Sequence, residues 1–186
     1  VKIQRSKTTA LTKLQGTDNG ILQKLPNGSV QPYPAGVQLP WNEITVLADD
    51  KPAVVLIGTK RGLIVFNTMT NDVRAYWSGK RWLPDDHVTG IGLEPPVKAN
   101  VIWIETPKGF SRIEYKQMTL AEKSKAFVER VQKRHVRWGM TSDSLLQTPG
   151  DLSTNKTVSS DNDGLWTQMY IAAEAFRYAV TKEADA

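Results

Sequence analysis

The chain is 186 residues long, 40% apolar and 23% charged, with a formal net charge of +5 and a pI near 9.4. This length accommodates one domain with a real core or two small ones, and the composition is that of a globular protein. With no cysteine it has neither disulfides nor thiolate metal sites, and no apolar stretch reaches the ~18 residues of a membrane-spanning helix.

The start, Val1-Lys2-Ile3-Gln4-Arg5, is mixed in character and shows no signal peptide, although a trimmed leader would leave the same sequence. The first strong signal is a turn motif. Gly16-Thr17-Asp18-Asn19-Gly20 recurs as Gly58-Thr59-Lys60-Arg61-Gly62 and, in a worn form, as Glu105-Thr106-Pro107-Lys108-Gly109. The final glycines are 42 and then 47 residues apart. Leu39-Pro40 returns as Leu83-Pro84, and Ile44-Thr45 as Val88-Thr89, each 44 residues later. Tyr33 and Trp77 precede each Leu-Pro. Val54–Ile57 and Val101–Ile104 lead into the second and third turns, while Leu63–Phe66 and Phe110–Tyr115 follow them. Short apolar runs bounded by Gly, Pro and Asn predict strands, and the recurrence predicts a repeated β unit.

The order Leu-Pro, x-x-Ile/Val-Thr, apolar strand, Gly-Thr-x-x-Gly-Leu resembles the repeat of two-component-regulator-type β-propellers. The resemblance covers residues 14–116. It departs from the pattern at Glu105 and Pro107, and the tryptophan usual before Gly-Thr is present only as Trp103. It implies partial propeller blades. Closed propellers have about 4–8 blades, so three turns imply an incomplete ring, belonging to a longer protein or to an assembly. A β-sandwich with chance Gly-Thr turns is the alternative. Trp41, Trp77, Trp82 and Trp103 are expected to pack the blades, with Trp41 and Trp82 placed where they can also form a stacking surface.

The pattern changes near residue 117. Thr119 with Glu122 makes a capping box, and a helix of about four turns is expected to follow, with Leu120, Ser124, Phe127 and Val131 on one face. Lys123, Lys125, Arg130, Lys133, Arg134 and Arg137 suit a solvated helix face or an anionic ligand. No nucleic-acid module accompanies them, so no nucleic-acid partner is expected. A polar loop is expected over residues 139–160, with a turn at Pro149-Gly150-Asp151 and with Asp143 among small polar residues. A second helix is expected from about Leu165 to Lys182, with Leu165, Met169, Ala172, Ala173, Phe176 and Val180 forming an apolar face that needs partners.

Residues 119–186 resemble the opening hairpin of an α/α-toroid, the helical barrel of many glycoside hydrolases and polysaccharide lyases. The resemblance rests on Arg134–Gly139, Pro149–Leu152 and Asp161–Tyr170. It implies acidic and aromatic residues at the helix N-termini, where sugar binds. On that reading Asp161, Asp163 and His135 are catalytic candidates, and Trp166, Tyr170, Trp138 and Asp151 are candidates for holding substrate. Asp161 or Asp163 can equally cap the helix. The Asp-x-Asp-Gly stretch lacks the remaining ligands of an EF-hand. His87 and His135 are too far apart in sequence to make a metal constellation on their own. No nucleotide motif is present, since Gly90-Ile91-Gly92 stands alone, and no cofactor or metal is expected.

The expected architecture is thus mainly β over residues 1–117, as an incomplete propeller, with an α-helical segment over 118–186. The expected function is a periplasmic or secreted protein that binds or processes carbohydrate. Its expected partners are a glycan or a protein, together with the rest of a larger chain or assembly, and no membrane span. The alternatives are a non-catalytic scaffold or sensor and a structural subunit.

Overall fold

In the computed structural model, which describes residues 1–10, 12–33, 38–94 and 100–184, each Thr-x-x-Gly segment is a two-residue hairpin turn. The threonine hydroxyl donates to the carbonyl of the closing glycine: Thr17 to Gly20 at 2.9 Å, Thr59 to Gly62 at 2.8 Å and Thr106 to Gly109 at 2.9 Å. In the first two copies it also accepts the backbone N–H two residues on, from Asn19 and Arg61. The closing glycines have φ of 111°, 134° and 131°, which a side chain would resist. The motif is therefore a device for turning the chain.

These turns organise three antiparallel sheets within the first of two compact units, Val1–Lys116. The first sheet is β2 (Leu14–Thr17), β3 (Gly20–Lys24) and β4 (Val30–Tyr33). The second is β5 (Ile44–Lys51), β6 (Val54–Thr59), β7 (Gly62–Asn67) and β8 (Asp72–Trp77). The third runs β1 (Lys2–Gln4), β9 (Gly90–Leu93), β10 (Val101–Thr106) and β11 (Gly109–Glu114).

The middle sheet is covered on both faces, which is why β6 and β7 read as unbroken apolar runs. Alternate residues face opposite ways. Leu47, Val55, Ile57, Ile64 and Phe66 pack with Leu14 and Ile21 of the first sheet. Val46, Ala48, Leu56, Leu63 and Val65 pack with Ile91, Ile102 and Ile104 of the third. Each large side chain buried this way contributes about 1.5–3 kcal/mol.

The first glycine of the motif has a separate reason. A Cβ on Gly58 would lie 2.7 Å from Val88 Cγ1 and closer still to Val46 Cγ1. One on Gly16 would lie 2.9 Å from Ile44 Cβ and closer still to its Cγ2. Glycine is what lets the neighbouring chain come this near. The third copy has Glu105 there instead, and its carboxylate ion-pairs with Arg5 at 2.6 and 2.8 Å. A carboxylate paired with Arg5 replaces the glycine that admits a packed neighbour, and β1 extends this sheet beyond β9.

The expected β-rich N-terminal part and helical C-terminal part are both present. The propeller and toroid resemblances are not upheld. Among the described residues the strands form small antiparallel sheets and no closed ring is evident. Among the described residues there are two α-helices, separated by β-hairpins, which is not a toroid.

The second unit, Gln117–Ala186, opens with α1 (Leu120–His135). The capping box forms as expected: Thr119 Oγ1 accepts from Glu122 N–H at 3.2 Å, and the Glu122 carboxylate accepts from Thr119 N–H at 2.7 Å. The expected face is largely exposed, however, Val131 apart. Leu120 is 87% and Phe127 50% exposed, and the half-buried positions are Ala126, Val128, Val131, Arg134 and His135. The expected polar loop is also corrected. It contains β12 (Val136–Arg137) paired with β13 (Met140–Thr141), then β14 (Asp143–Leu146) paired with β15 (Asn155–Val158), with a 3-10 turn at Leu152–Thr154. Helix α2 (Asp163–Thr181) follows and ends on Lys182 in the left-handed conformation, φ 60°.

Candidate binding pocket

One open pocket, of about 310 Å³, lies among the elements of the second unit and is lined by Val131, His135, Thr141, Ser142, Asp143, Trp166 and Tyr170. Three local features build it. The C-terminal turn of α1 delivers Val131 and His135. The hairpin and the start of β14 deliver Thr141, Ser142 and Asp143. Trp166 and Tyr170 stand four residues apart on α2, and so share one face.

The hydrogen bonds around the pocket fix its polar side. His135 Nδ1 lies 3.2 Å from the Ser142 carbonyl, and Ser142 N–H donates back to the His135 carbonyl at 2.7 Å. A carbonyl only accepts, so Nδ1 carries the hydrogen of this contact. Thr167 Oγ1 donates to the Asp163 carbonyl at 2.7 Å and accepts from Thr141 N–H at 3.0 Å. The Thr141 and Thr167 hydroxyls are 3.1 Å apart. With the Thr167 proton committed to Asp163, Thr141 is the donor of that pair. Among the described residues of this unit, Thr141, Ser142 and Thr167 are the buried ones, so a hydroxyl cluster ties hairpin to helix.

Of the residues singled out in the sequence, His135, Trp166 and Tyr170 meet in the pocket, and Asp161 and Asp163 do not line it. The Asp163 carboxylate turns back to accept from Ser160 N–H and Ser160 Oγ, both at 3.1 Å, closing the entry to α2. Asp161 is exposed beside it. Asp151 caps the 3-10 turn: its Oδ1 accepts from Ser153 Oγ at 2.6 Å and from Ser153 N–H at 2.9 Å. Those two bonds hold its carboxyl below the usual carboxylate range. Trp138 stands at the tip of the β12–β13 hairpin, 87% exposed. The lining residues that sequence reading did not assign are Val131, Thr141, Ser142 and Asp143. Val131 comes from α1, whereas Thr141, Ser142 and Asp143 are brought in by the short hairpin and the strand that follows it, and the two-residue strands leave no periodic signal.

The first unit uses its charged and aromatic groups for structure. Asp85 accepts from His87 N–H and pairs with Lys108 at 3.0 Å, and both lower its pKa. Trp82 stacks on Trp77 with centroids 6.0 Å apart. Trp41 donates to Glu43 at 3.2 Å and carries Arg61 over its ring. One face of each indole is thus occupied within the unit. Among the described residues no group of three acidic or imidazole side chains is disposed to hold a metal, and no helix is long and apolar enough to cross a membrane.

Compared with known proteins, the chain matches no family model and no curated protein.

Proposed function

We propose that this chain is a carbohydrate-binding protein whose ligand sits in the pocket between His135 and Trp166. The observation that carries the reading is the pairing of Trp166 and Tyr170 with a polar wall of Thr141, Ser142, Asp143 and His135. A sugar offers an apolar C–H face and a rim of hydroxyls. An aromatic surface beside hydroxyl, carboxylate and imidazole groups suits both. Binding is favoured over hydrolysis because Asp143 is the one carboxylate among the lining residues, whereas glycoside hydrolysis ordinarily uses a pair flanking the bond. The test is calorimetric titration with a panel of neutral oligosaccharides. Binding that is lost in Trp166→Ala and kept in Asp161→Asn supports the reading. If no member of the panel binds, or if Trp166→Ala binds like the parent, the reading fails.

A second reading, a protein-contact subunit, is favoured by α2. Leu165, Met169, Phe176 and Val180 are 55%, 58%, 75% and 84% exposed, more apolar surface than one helix ordinarily shows to water. Light scattering on the parent and on Phe176→Ser tests it. A monomeric parent that stays dispersed at high concentration and retains no protein partner refutes it.

A further inference from the structure

We infer that the Arg137-Trp138 tip of the β12–β13 hairpin is a second contact for the pocket's ligand, so that this ligand is a carbohydrate chain rather than a single sugar. The inference rests on the carbohydrate reading of the pocket.

Trp138 and Gly139 are the two loop residues between paired Arg137 and Met140. Both have positive φ, 54° and 78°, as a type I′ turn requires. Asn-Gly is the favoured pair for such a turn. A bulky residue there carries left-handed strain that asparagine tolerates. Packing within the chain does not repay this, because Trp138 is 87% exposed.

The indole is nevertheless held. The Arg137 guanidinium lies 4.9 Å from the Trp138 ring centroid, and Arg137 Nη2 donates to Ser159 Oγ at 2.8 Å. One ring face is therefore backed by a cation anchored just before α2, and the rest of the ring is open to solvent. That is a platform with hydrogen-bond donors beside it.

The platform is joined to the pocket by the hairpin itself. Thr141 lines the pocket and is bonded to Thr167 of α2. Trp138 is three residues earlier, so its Cα lies within ~11 Å of that of Thr141 by chain reach alone. An oligosaccharide seated on Trp166 and Tyr170 extends across that gap to place a further ring on Trp138. Tryptophan and arginine also anchor protein interfaces. The short, bonded connection to the pocket is what favours the glycan, and a protein partner is the competing outcome below.

The experiment is a calorimetric length series, mono- to hexasaccharide, from the cellulose, mannan and xylan polymers, against the whole chain. Affinity is expected to rise about tenfold with length. Trp138→Ala is expected to abolish that rise and leave monosaccharide affinity unchanged, while Trp138→Phe keeps most of it. Trp138→Asn supplies a second ring-free variant whose turn is, if anything, better formed, so a folding defect cannot mimic the result. A rise that survives in Trp138→Ala and Trp138→Asn overturns the inference and leaves the pocket reading standing, provided Trp166→Ala weakens every length. If the parent binds no sugar of any length, both fall. If the tip variants alter only self-association or a protein complex, the tip is a protein anchor and the inference is overturned.

Discussion

Gly58→Ala tests whether close approach of neighbouring side chains, rather than turn geometry, explains the first glycine of the repeated motif. The added Cβ would sit 2.7 Å from Val88 Cγ1 and 3.1 Å from Val88 Cβ, with Val46 Cγ1 nearer still. Ordinary carbon contacts are ~3.5–4.0 Å, so one or more neighbours must move by close to an ångström. Neither valine is free to do so. Both are fully buried, and β-branched side chains have few alternative rotamers. Overpacking of this kind costs about 1–3 kcal/mol and occasionally more. Against this, alanine restricts the unfolded chain and returns ~0.4–1 kcal/mol. The expected net loss is about 1–2 kcal/mol, a fall in Tm of roughly 4–8 °C for a unit of this size. The assay is urea unfolding followed by tryptophan fluorescence, to which Trp41, Trp77, Trp82 and Trp103 of the first unit contribute. Gly164→Ala is the control, because nothing lies within 4 Å of its Cβ position. A Gly58→Ala variant within ~0.5 kcal/mol of the parent, the range of an innocuous substitution, would refute the argument and leave the first glycine unexplained.

Ala53 sits in the two-residue turn between β5 and β6 with φ of 62°. Ala53→Gly should therefore stabilise by about 0.5–1 kcal/mol, the left-handed strain relieved less the added unfolded-state entropy, read as a shift in the urea midpoint. Arg5 holds the Glu105 carboxyl below its ordinary range through a hydrogen bond and charge. A depressed carboxylate contributes stability above its unfolded pKa of about 4.3, and that contribution is lost as pH falls through the folded value. Glu105→Gln should thus flatten the stability profile at and below pH ~4, and an unchanged slope there would discount the pair. Thr167→Val removes the acceptor for the buried Thr141 N–H. It should cost about 1–3 kcal/mol and weaken ligand binding, whereas Thr167→Ser should keep both.

The first unit was legible because its signals were local and repeated. Gly, Thr and the apolar run each had one task, and each task recurred at nearly constant spacing. How the third sheet is completed was not legible. It involves Glu105 in place of glycine, whose meaning appears only when Arg5, 100 residues away in sequence, is seen to pair with it. A glycine that admits a neighbour and a glutamate that recruits an arginine look like a single imperfect match in a motif.

The second unit misled sequence reading for the opposite reason: its helices were found, but their faces were assigned by hydrophobicity. Helix α2 turns Asp163, Thr167, Tyr170, Glu174 and Arg177 toward its own unit. These positions follow the helical period as faithfully as the apolar set does. The Glu174–Arg177 pair, at 2.7 Å with side chains only 13% and 15% exposed, sits on this inner face. Likewise the hairpins of residues 136–158 are fastened by Ser and Thr hydroxyls, which in a sequence signal loop. A unit assembled through hydroxyls and an ion pair does not announce its interior by composition. It does bring polar groups together beside whatever aromatic residues share the face, and this is how His135, Asp143, Trp166 and Tyr170 come to line one pocket.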